Sequence, residues 1–557
     1  MKTTLSKFFF LIVILSMAAS ACQGGQLLSG PQVTVQIVYG SEKREWLEPL
    51  VEAYNAAGNT TAAGSAIRVE AVPMGSIESV NAILEGAIQP TVWSPASSVY
   101  LPLANAEWRR LHGADLVEGT PNDLVLSPVV IAMWRSMAEA LGWPQKALGW
   151  GDIAELAISP EGWNAYGFPE WGSFKFGHTH PNYSNSGIVA IIAQTYAGAG
   201  KQRGLTRDDL NNPDVASFMS EVQASIIHYG TSTGFFGERM FERGPSYLSA
   251  AVLYENLVVA QESKRIAGTS TQLPVVAIYP KEGTFWSNHP YVVLNTTWVS
   301  AEQKEAARAF EAFLLAREQQ LKALALGFRP ADPAIPLTAP LDAQHGVDPG
   351  QPQTILEVPT SEVIAGIQEL WKLNKKPVDL MVVMDISGSM GGEKISSARS
   401  SLMQFIEQLD ERDRLQVMLF NQQVTTLTPL TEIGPKRQQI LQRVSGVIEG
   451  GGTSLYDATL AAYRELQANG DPGHIRAIVV LSDGQDTESG ASLAEVLQAI
   501  GVGSEEGGTA IKLFTIAFGD DADTGILQQI AEISGGRQYD SNPENIRRIY
   551  GEIATFF

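Results

Sequence analysis

Val378-Asp379-Leu380-Met381-Val382-Val383-Met384 runs straight into Asp385-Ile386-Ser387-Gly388-Ser389-Met390. The first seven residues are almost continuously apolar, the pattern of a strand buried on both faces of a parallel sheet. Residues 391–409 follow, with Ile395, Ala398, Leu402, Phe405, Ile406 and Leu409 spaced along one face of a helix. A carboxylate and two hydroxyls therefore sit on a turn between the carboxyl end of a strand and the start of a helix. That is where open α/β sheets place ligands. Hard oxygen donors packed into five residues suit a hard cation such as Mg²⁺. An Asp/Ser-rich turn that caps the helix accounts for the same residues.

The flanking sequence decides between the two. Residues 415–420 read as a strand, 424–430 as an antiparallel edge strand and 435–444 as a helix. Gly450-Gly451-Gly452-Thr453-Ser454 opens a helix over 455–468. Residues 476–481 form a buried strand ending in Ser482-Asp483-Gly484, and 511–518 another ending in Gly519-Asp520. Gln538-Tyr539 marks a short last strand between helices near 524–533 and 543–554. This alternation predicts a doubly wound, Rossmann-like α/β sheet. Asp385, Ser387 and Ser389, then Thr453, then Asp483 sit on three loops that can meet at one sheet edge. Five such donors leave at least one position of an octahedral ion open.

On these residues, 377–557 resembles a von Willebrand factor type A domain. Every position of its metal-ion-dependent adhesion motif is matched: Asp-x-Ser-x-Ser, a Thr, then an Asp. The resemblance implies that Asp385, Ser387, Ser389, Thr453 and Asp483 hold Mg²⁺ (or Mn²⁺ or Ca²⁺), directly or through water. It also implies that a carboxylate exposed on a protein partner completes the shell. Asp520 to Asp523 read as negative charge capping the next helix, with a second cation site as the alternative, and Asp486-Thr487-Glu488 as a solvated rim.

The whole chain has 557 residues, too many for one core, so two or three domains are expected. Its formal charge of −21 argues against a nucleic-acid backbone as partner, because no overall basic surplus exists to neutralise phosphates. Lys2 and Lys7 precede an apolar run at 8–19 that is short for a membrane span. Ala19-Ser20-Ala21 then leads to Cys22, the only cysteine, so no disulfide can form within the chain. This start resembles a bacterial lipoprotein signal, although that family prefers Leu where Ala19 stands. The resemblance implies lipidation of Cys22 and anchoring to a membrane on the extracytoplasmic face of the cell envelope. An ordinary signal peptide cleaved nearby, or an uncleaved anchor, remains the alternative.

Between leader and C-terminal domain the pattern is strand, small-residue loop, helix. Residues 33–39 alternate as a strand, Gly40-Ser41 follow, and a helix runs over 42–56. A second strand at 67–72 leads through Gly75-Ser76 to a helix at 77–86. Strands are also expected at 126–134, 174–178, 275–279 and 291–294, the last two returning to the first lobe. Helices are expected at 135–141, 151–158, 188–197, 248–263, 300–326 (with Leu321 inward) and 361–373. Thr91-Val92-Trp93-Ser94-Pro95-Ala96-Ser97-Ser98 and Ser184-Asn185-Ser186-Gly187 offer hydroxyls, amides and bare backbone N–H groups near helix starts.

With His178-Thr179-His180-Pro181 and Gly327-Phe328-Arg329-Pro330, these stretches make the N-terminal body resemble a two-lobed, type II extracellular solute-binding protein. That resemblance implies a small-molecule solute between the lobes. The candidate contacts are Ser41, Ser76, Trp93, Ser94, Ser184, Ser186 and Tyr254, each of which also suits a cap or turn. His178 and His180 lack a third clustered His or Cys for a metal.

The expected plan is a signal peptide at 1–21, a tether at 22–32 and a two-lobed body at 33–345. A linker and connecting helix at 346–376 then lead to the C-terminal domain at 377–557. The sequence lacks a phosphate loop, an H-E-x-x-H helix and a Cys–His pair, so it favours binding over catalysis. The expected function is cation-dependent capture of an acidic protein partner by a lipid-anchored surface protein. A substrate receptor for an ABC-type uptake system is the alternative.

Overall fold

The alternating residues that follow the leader form the strand Gln32–Tyr39, which pairs in parallel with Ala66–Pro73 and Val92–Ser94. A computed structural model of the chain describes residues 31–505 and 511–557. Residues 1–21, expected to be a signal peptide, and Cys22 lie outside the described residues. Among the described residues, no helix is long and apolar enough to cross a membrane.

The first lobe's sheet has the order Ala66–Pro73, Gln32–Tyr39, Val92–Ser94, Pro290–Val293, Asn122–Asp123. Pro290–Val293 enters it antiparallel after the chain has built the second lobe. Trp46, Leu47, Leu50 and Tyr54 of the helix Arg44–Ala56 bury against Phe310 and Leu314 in this lobe's core. The second lobe is organised on the long strand Val125–Trp134. It pairs antiparallel with Ala250–Tyr254, Val275–Ile278, Trp286–Ser287 and Arg329–Pro330.

Several expected elements differ. Residues 248–263 are not one helix: Ala250–Tyr254 is a strand, and the helix starts at Glu255. All five strand residues are buried, so the run carries no helical face, and sheet pairing on both edges outweighs propensity. Val275–Ile278 joins the second lobe, not the first, because it pairs with Val125–Trp134. Residues 300–326 break into Ala301–Leu315 and Arg317–Ala325 at Ala316, whose ψ of 142° is extended. The turn brings Gln320 inward and leaves Leu321 45% exposed. The expected strand 174–178 pairs only over Phe176–Gly177.

The C-terminal sheet has the order Val424–Glu432, Arg414–Phe420, Val378–Asp385, Ile475–Ser482, Lys512–Phe518, Arg537–Ser541. All neighbours are parallel except the Val424–Glu432 edge. The order reverses between Val378–Asp385 and Ile475–Ser482, so the carboxyl ends of these two strands flank the switch point. Asp379 is tolerated inside the apolar strand because Arg414, His474 and the Asp471 amide all bond its carboxylate.

Residues 346–376 are docked rather than free. The helix Ser361–Asn374 packs on the second lobe's helices Asn185–Ala199 and Pro213–Gln223. Trp371 is buried edge-on to His180 and Tyr229, with ring centres 4.9 and 5.4 Å away. The Tyr229 amide donates to Phe556 O at 3.0 Å, and one apolar core runs from the body into the C-terminal domain.

Candidate metal and solute sites

At the switch point, Asp385 ends its strand with a fully buried carboxylate. Oδ1 accepts the Ser387 amide at 2.8 Å, and Oδ2 accepts the Ser482 hydroxyl at 2.7 Å. Ser387 Oγ lies 3.0 Å from Ser389 Oγ, which donates to Asp483 Oδ1 at 2.7 Å. The loop bearing Thr453 is strapped to the same turn: the Gly388 amide donates to Gly451 O at 2.9 Å and the Gly450 amide to Ile386 O at 2.7 Å. Gly451 has φ +96°, which favours glycine there. A Cβ on Gly484 would lie 3.7 Å from Ser389 Oγ and 3.9 Å from Thr453 Oγ1, so these two hydroxyls flank one point.

The structure thus gathers all five residues singled out in sequence. Burial raises the Asp385 carboxyl above its ordinary range; Ser387 and Ser482 pull it back, and the nearby Asp483 raises it further. Two carboxylates and three hydroxyls form a hard oxygen donor set that fits a divalent cation of the Mg²⁺ class. Among the described residues, no group of three or more His, Cys, Asp and Glu side chains could hold a metal. This cluster differs in drawing most of its donors from hydroxyls. Sequence patterning did not single out Lys394, whose Nζ donates to Asp483 Oδ2 at 2.6 Å and lies 3.7 Å from Asp521. Asp523 caps the helix Thr524–Ile533 through the Ile526 amide.

The candidate solute contacts lie in the seam between the lobes, and all seven are buried. Most are bonded to protein. Ser41 Oγ meets Ser232 Oγ across the lobes. Ser76 Oγ accepts the Ala96 amide at 3.0 Å, and Trp93 Nε1 donates to Ser79 Oγ at 2.9 Å. Ser184 and Ser186 both bond Thr233, at 3.1 and 2.9 Å, and Tyr254 Oη accepts Asn185 Nδ2 at 3.0 Å. The first amides of the helix Ser76–Leu84, from Ile77 and Glu78, point at Tyr183 O of the other lobe. A protein carbonyl therefore takes the amides that this helix start could offer an anion.

Sequence patterning missed the charges beside this seam. Lys43 Nζ lies 3.1 Å from Glu42 Oε1, 3.1 Å from Ser94 O and 3.2 Å from His289 Nδ1, with both Lys43 and His289 fully buried. Against the burial that would raise it, Lys43 and then His289 hold the Glu42 carboxyl at about 2. Burial, then Lys43, hold His289 at about 4 and therefore neutral. Ser94 Oγ, Tyr100 Oη, Asn185 Oδ1 and His289 Nε2 are buried without a hydrogen-bond partner among the described residues. His178 and His180 spend ring nitrogens on Thr179 O, Gln223 and the Asn182 amide, so they do not form a metal pair.

Comparison with known proteins agrees with the two-part plan. A family model described as bacterial extracellular solute-binding protein matches residues 35–329, and the von Willebrand factor type A domain model matches 379–550. An uncharacterized protein of Mycobacterium tuberculosis is 23% identical over 559 aligned residues, covering 93% of this chain and 75% of its own length. Inter-alpha-trypsin inhibitor heavy chain H4 of Homo sapiens is 26% identical over 173 residues, 29% of this chain and 18% of its own. Among solved structures, a periplasmic thiamin binding protein covers 63% of this chain and 98% of its own, at 12% identity and TM-score 0.44. A von Willebrand factor type A protein from Catenulispora acidiphila covers 32% of this chain and 42% of its own, at 19% identity and TM-score 0.29.

Proposed function

Since this chain belongs to the bacterial extracellular solute-binding protein family and carries a von Willebrand factor type A domain behind that body, we propose that it is a surface binding protein rather than an enzyme. Its C-terminal domain captures an acidic group of a protein partner in a divalent-cation-dependent way. The observation that carries this reading is the convergence of Asp385, Ser387, Ser389, Thr453 and Asp483 at the switch point. These residues would hold Mg²⁺, Mn²⁺ or Ca²⁺, and the ion, when bound, supplies an open position for a partner carboxylate oxygen. Ser482 and the Ser387 amide orient Asp385, and Lys394 holds Asp483. Lipidation of Cys22 would hold the protein on the extracytoplasmic face of a membrane. Isothermal titration with MgCl₂ tests the site: the full chain binds saturably and Asp385→Ala does not. Equal binding by both removes the assignment.

One observation favours a second activity in the same chain, uptake-linked binding of a small polar solute between the lobes. Ser94, Tyr100, Asn185 and His289 leave four buried polar atoms unpartnered in the described structure, a cost that a polar ligand offsets. A thermal-shift screen of sugars, amino acids and oxyanions on parent and Asn185→Leu tests this. A solute that stabilises only the parent supports it, and no stabilising solute argues for a structural body.

A further inference from the structure

A chain of net charge −21 keeps a cluster of unpaired cations at the seam between its second lobe and its C-terminal domain. The helix Thr233–Arg243 faces the turn Ser534-Gly535-Gly536 and the start of the strand Arg537–Ser541. Arg239 Nη1 donates across the seam to Gly536 O at 3.3 Å. Arg243 and Lys512 both stand near the Tyr247 ring, 5.8 and 5.3 Å from its centre. A Cβ on Gly535 would lie 2.9 Å from Arg243 Nη1 and 2.9 Å from Lys512 Nζ, so twice that distance bounds their separation. Arg537 lies over Tyr539, 4.8 Å from its ring centre. Among the described residues, none of Arg239, Arg243, Lys512 and Arg537 makes an ion pair, whereas Arg44, Arg109, Arg110 and Lys201 do.

Two cavities open along this seam. One of about 350 Å³ is walled by Phe235, Phe236, Phe556, Arg239 and Arg537. The other, of about 360 Å³, is walled by Arg239, Arg243, Arg537, Gln528 and Gln538. They share Arg239, Arg537 and Glu242, so they form one groove. The carboxylates along it offset part of this charge: Glu532 and Glu242 favour the charged form of Arg243, while Glu238 is paired with Arg44 and Glu532 also accepts Gln528 Nε2 at 2.8 Å. Burial, then Arg243, Lys175 and Arg239, push Lys512 down to about 7. Burial, then Arg239, lower Arg243. Like charges are held together here although each would be better hydrated apart.

We propose that this interdomain groove binds a phosphate-class oxyanion, with Arg239, Arg243 and Arg537 as its donors and Lys512, whose Nζ donates to Ser534 O at 3.1 Å, adding positive charge beside them. Three guanidinium forks suit the oxygens of a phosphate, which they bond in pairs. The aromatic walls beside them suit an apolar group esterified to it. Because the donors come from both domains, an occupied groove ties the second lobe to the C-terminal domain. That site is separate from the lobe seam and from the cluster at Asp385.

The test is isothermal titration of the full chain with inorganic phosphate, pyrophosphate and phenyl phosphate, alongside NaCl at matched ionic strength. Saturable binding is expected, and at least a tenfold loss in Arg239→Gln/Arg537→Gln. Lys512→Met, which removes a charge without touching the seam's Arg239–Gly536 bond, is expected to weaken binding as well. Without phosphate, Lys512→Met should unfold at the parent's temperature or above it, since it relieves repulsion. Tighter binding of phenyl phosphate identifies an organic phosphate, and equal or weaker binding identifies the free ion. Absence of saturable binding, an equal effect of NaCl, or undiminished binding by both variants overturns the proposal.

Discussion

Replacing Lys394 by Met should tighten Mg²⁺ binding at the Asp385 cluster. The Lys394 ammonium sits 2.6 Å from Asp483 Oδ2, so it already neutralises one of the two carboxylates meant for the ion. A fixed unit charge about 5 Å from a divalent ion would oppose it by ~6 kcal/mol at an effective dielectric of ~20. The ammonium need not stay, however. Its side chain is 23% exposed and it has Asp521 3.7 Å away to turn towards. The penalty is then the lost charged hydrogen bond, ~1.5–3 kcal/mol, taken at its lower end because solvent screens a partly exposed pair. About 1.4 kcal/mol is tenfold in affinity, so Lys394→Met should bind Mg²⁺ about ten times more tightly by calorimetry. Its unfolding temperature without Mg²⁺ should fall, because Asp483 is left beside Asp385 with no counter-charge. Unchanged or weaker Mg²⁺ binding by Lys394→Met would refute the reasoning.

Other expectations follow from the same packing. Burial holds His178 and His289 at about 4 and His228 at about 3, below their ordinary 6.5. The unfolded chain takes up these protons first, so the stability they supply is complete above pH 6.5 and is lost as pH falls towards 4. Each contributes up to about 3 kcal/mol, so thermal unfolding should move down between pH 7 and 4.5, and a flat profile contradicts this. Gly187→Ala would put a Cβ 2.1 Å from Thr179 O, a backbone atom that cannot step aside. It should destabilise the second lobe by about 3 kcal/mol in denaturant unfolding. Trp371→Ala should cost about 3–5 kcal/mol and split one calorimetric unfolding transition into two, since Trp371 packs where the connecting helix meets the second lobe. A single undisturbed transition would show that Trp371 does not hold the domains together.

The C-terminal fold was legible because each of its strands ends on a distinctive polar turn, as at Asp385, Ser482-Asp483 and Gly519-Asp520. Asp385 and Asp483 could be picked out because they stand at strand ends, and Ser387, Ser389 and Thr453 because they sit on the polar turns that lead into the next helix. Ala250–Tyr254 was misread because an all-apolar run carries no period once both faces are buried. The break at Ala316 has no Gly or Pro to announce it; the extended Ala316 turns the chain, and the Gln319 and Gln320 amides donate to Ala316 O to start the second helix. Lys43, His289 and Lys394 matter through partners far away in sequence, such as Ser94 and Asp483, and local pattern holds no trace of such pairings. The cleft's hydroxyls could be named in advance, but not that Ser232 of the opposite lobe would meet Ser41, or that Tyr183 O would take the Ile77 and Glu78 amides.

The central claim is that the Asp385 cluster is a metal site, and anomalous diffraction from crystals soaked in MnCl₂ tests it most directly. The account predicts a manganese peak bounded by Asp385, Ser387, Ser389, Thr453 and Asp483, with the Lys394 ammonium moved off Asp483. Crystals that show no peak there, with Lys394 still bonded to Asp483, would contradict it.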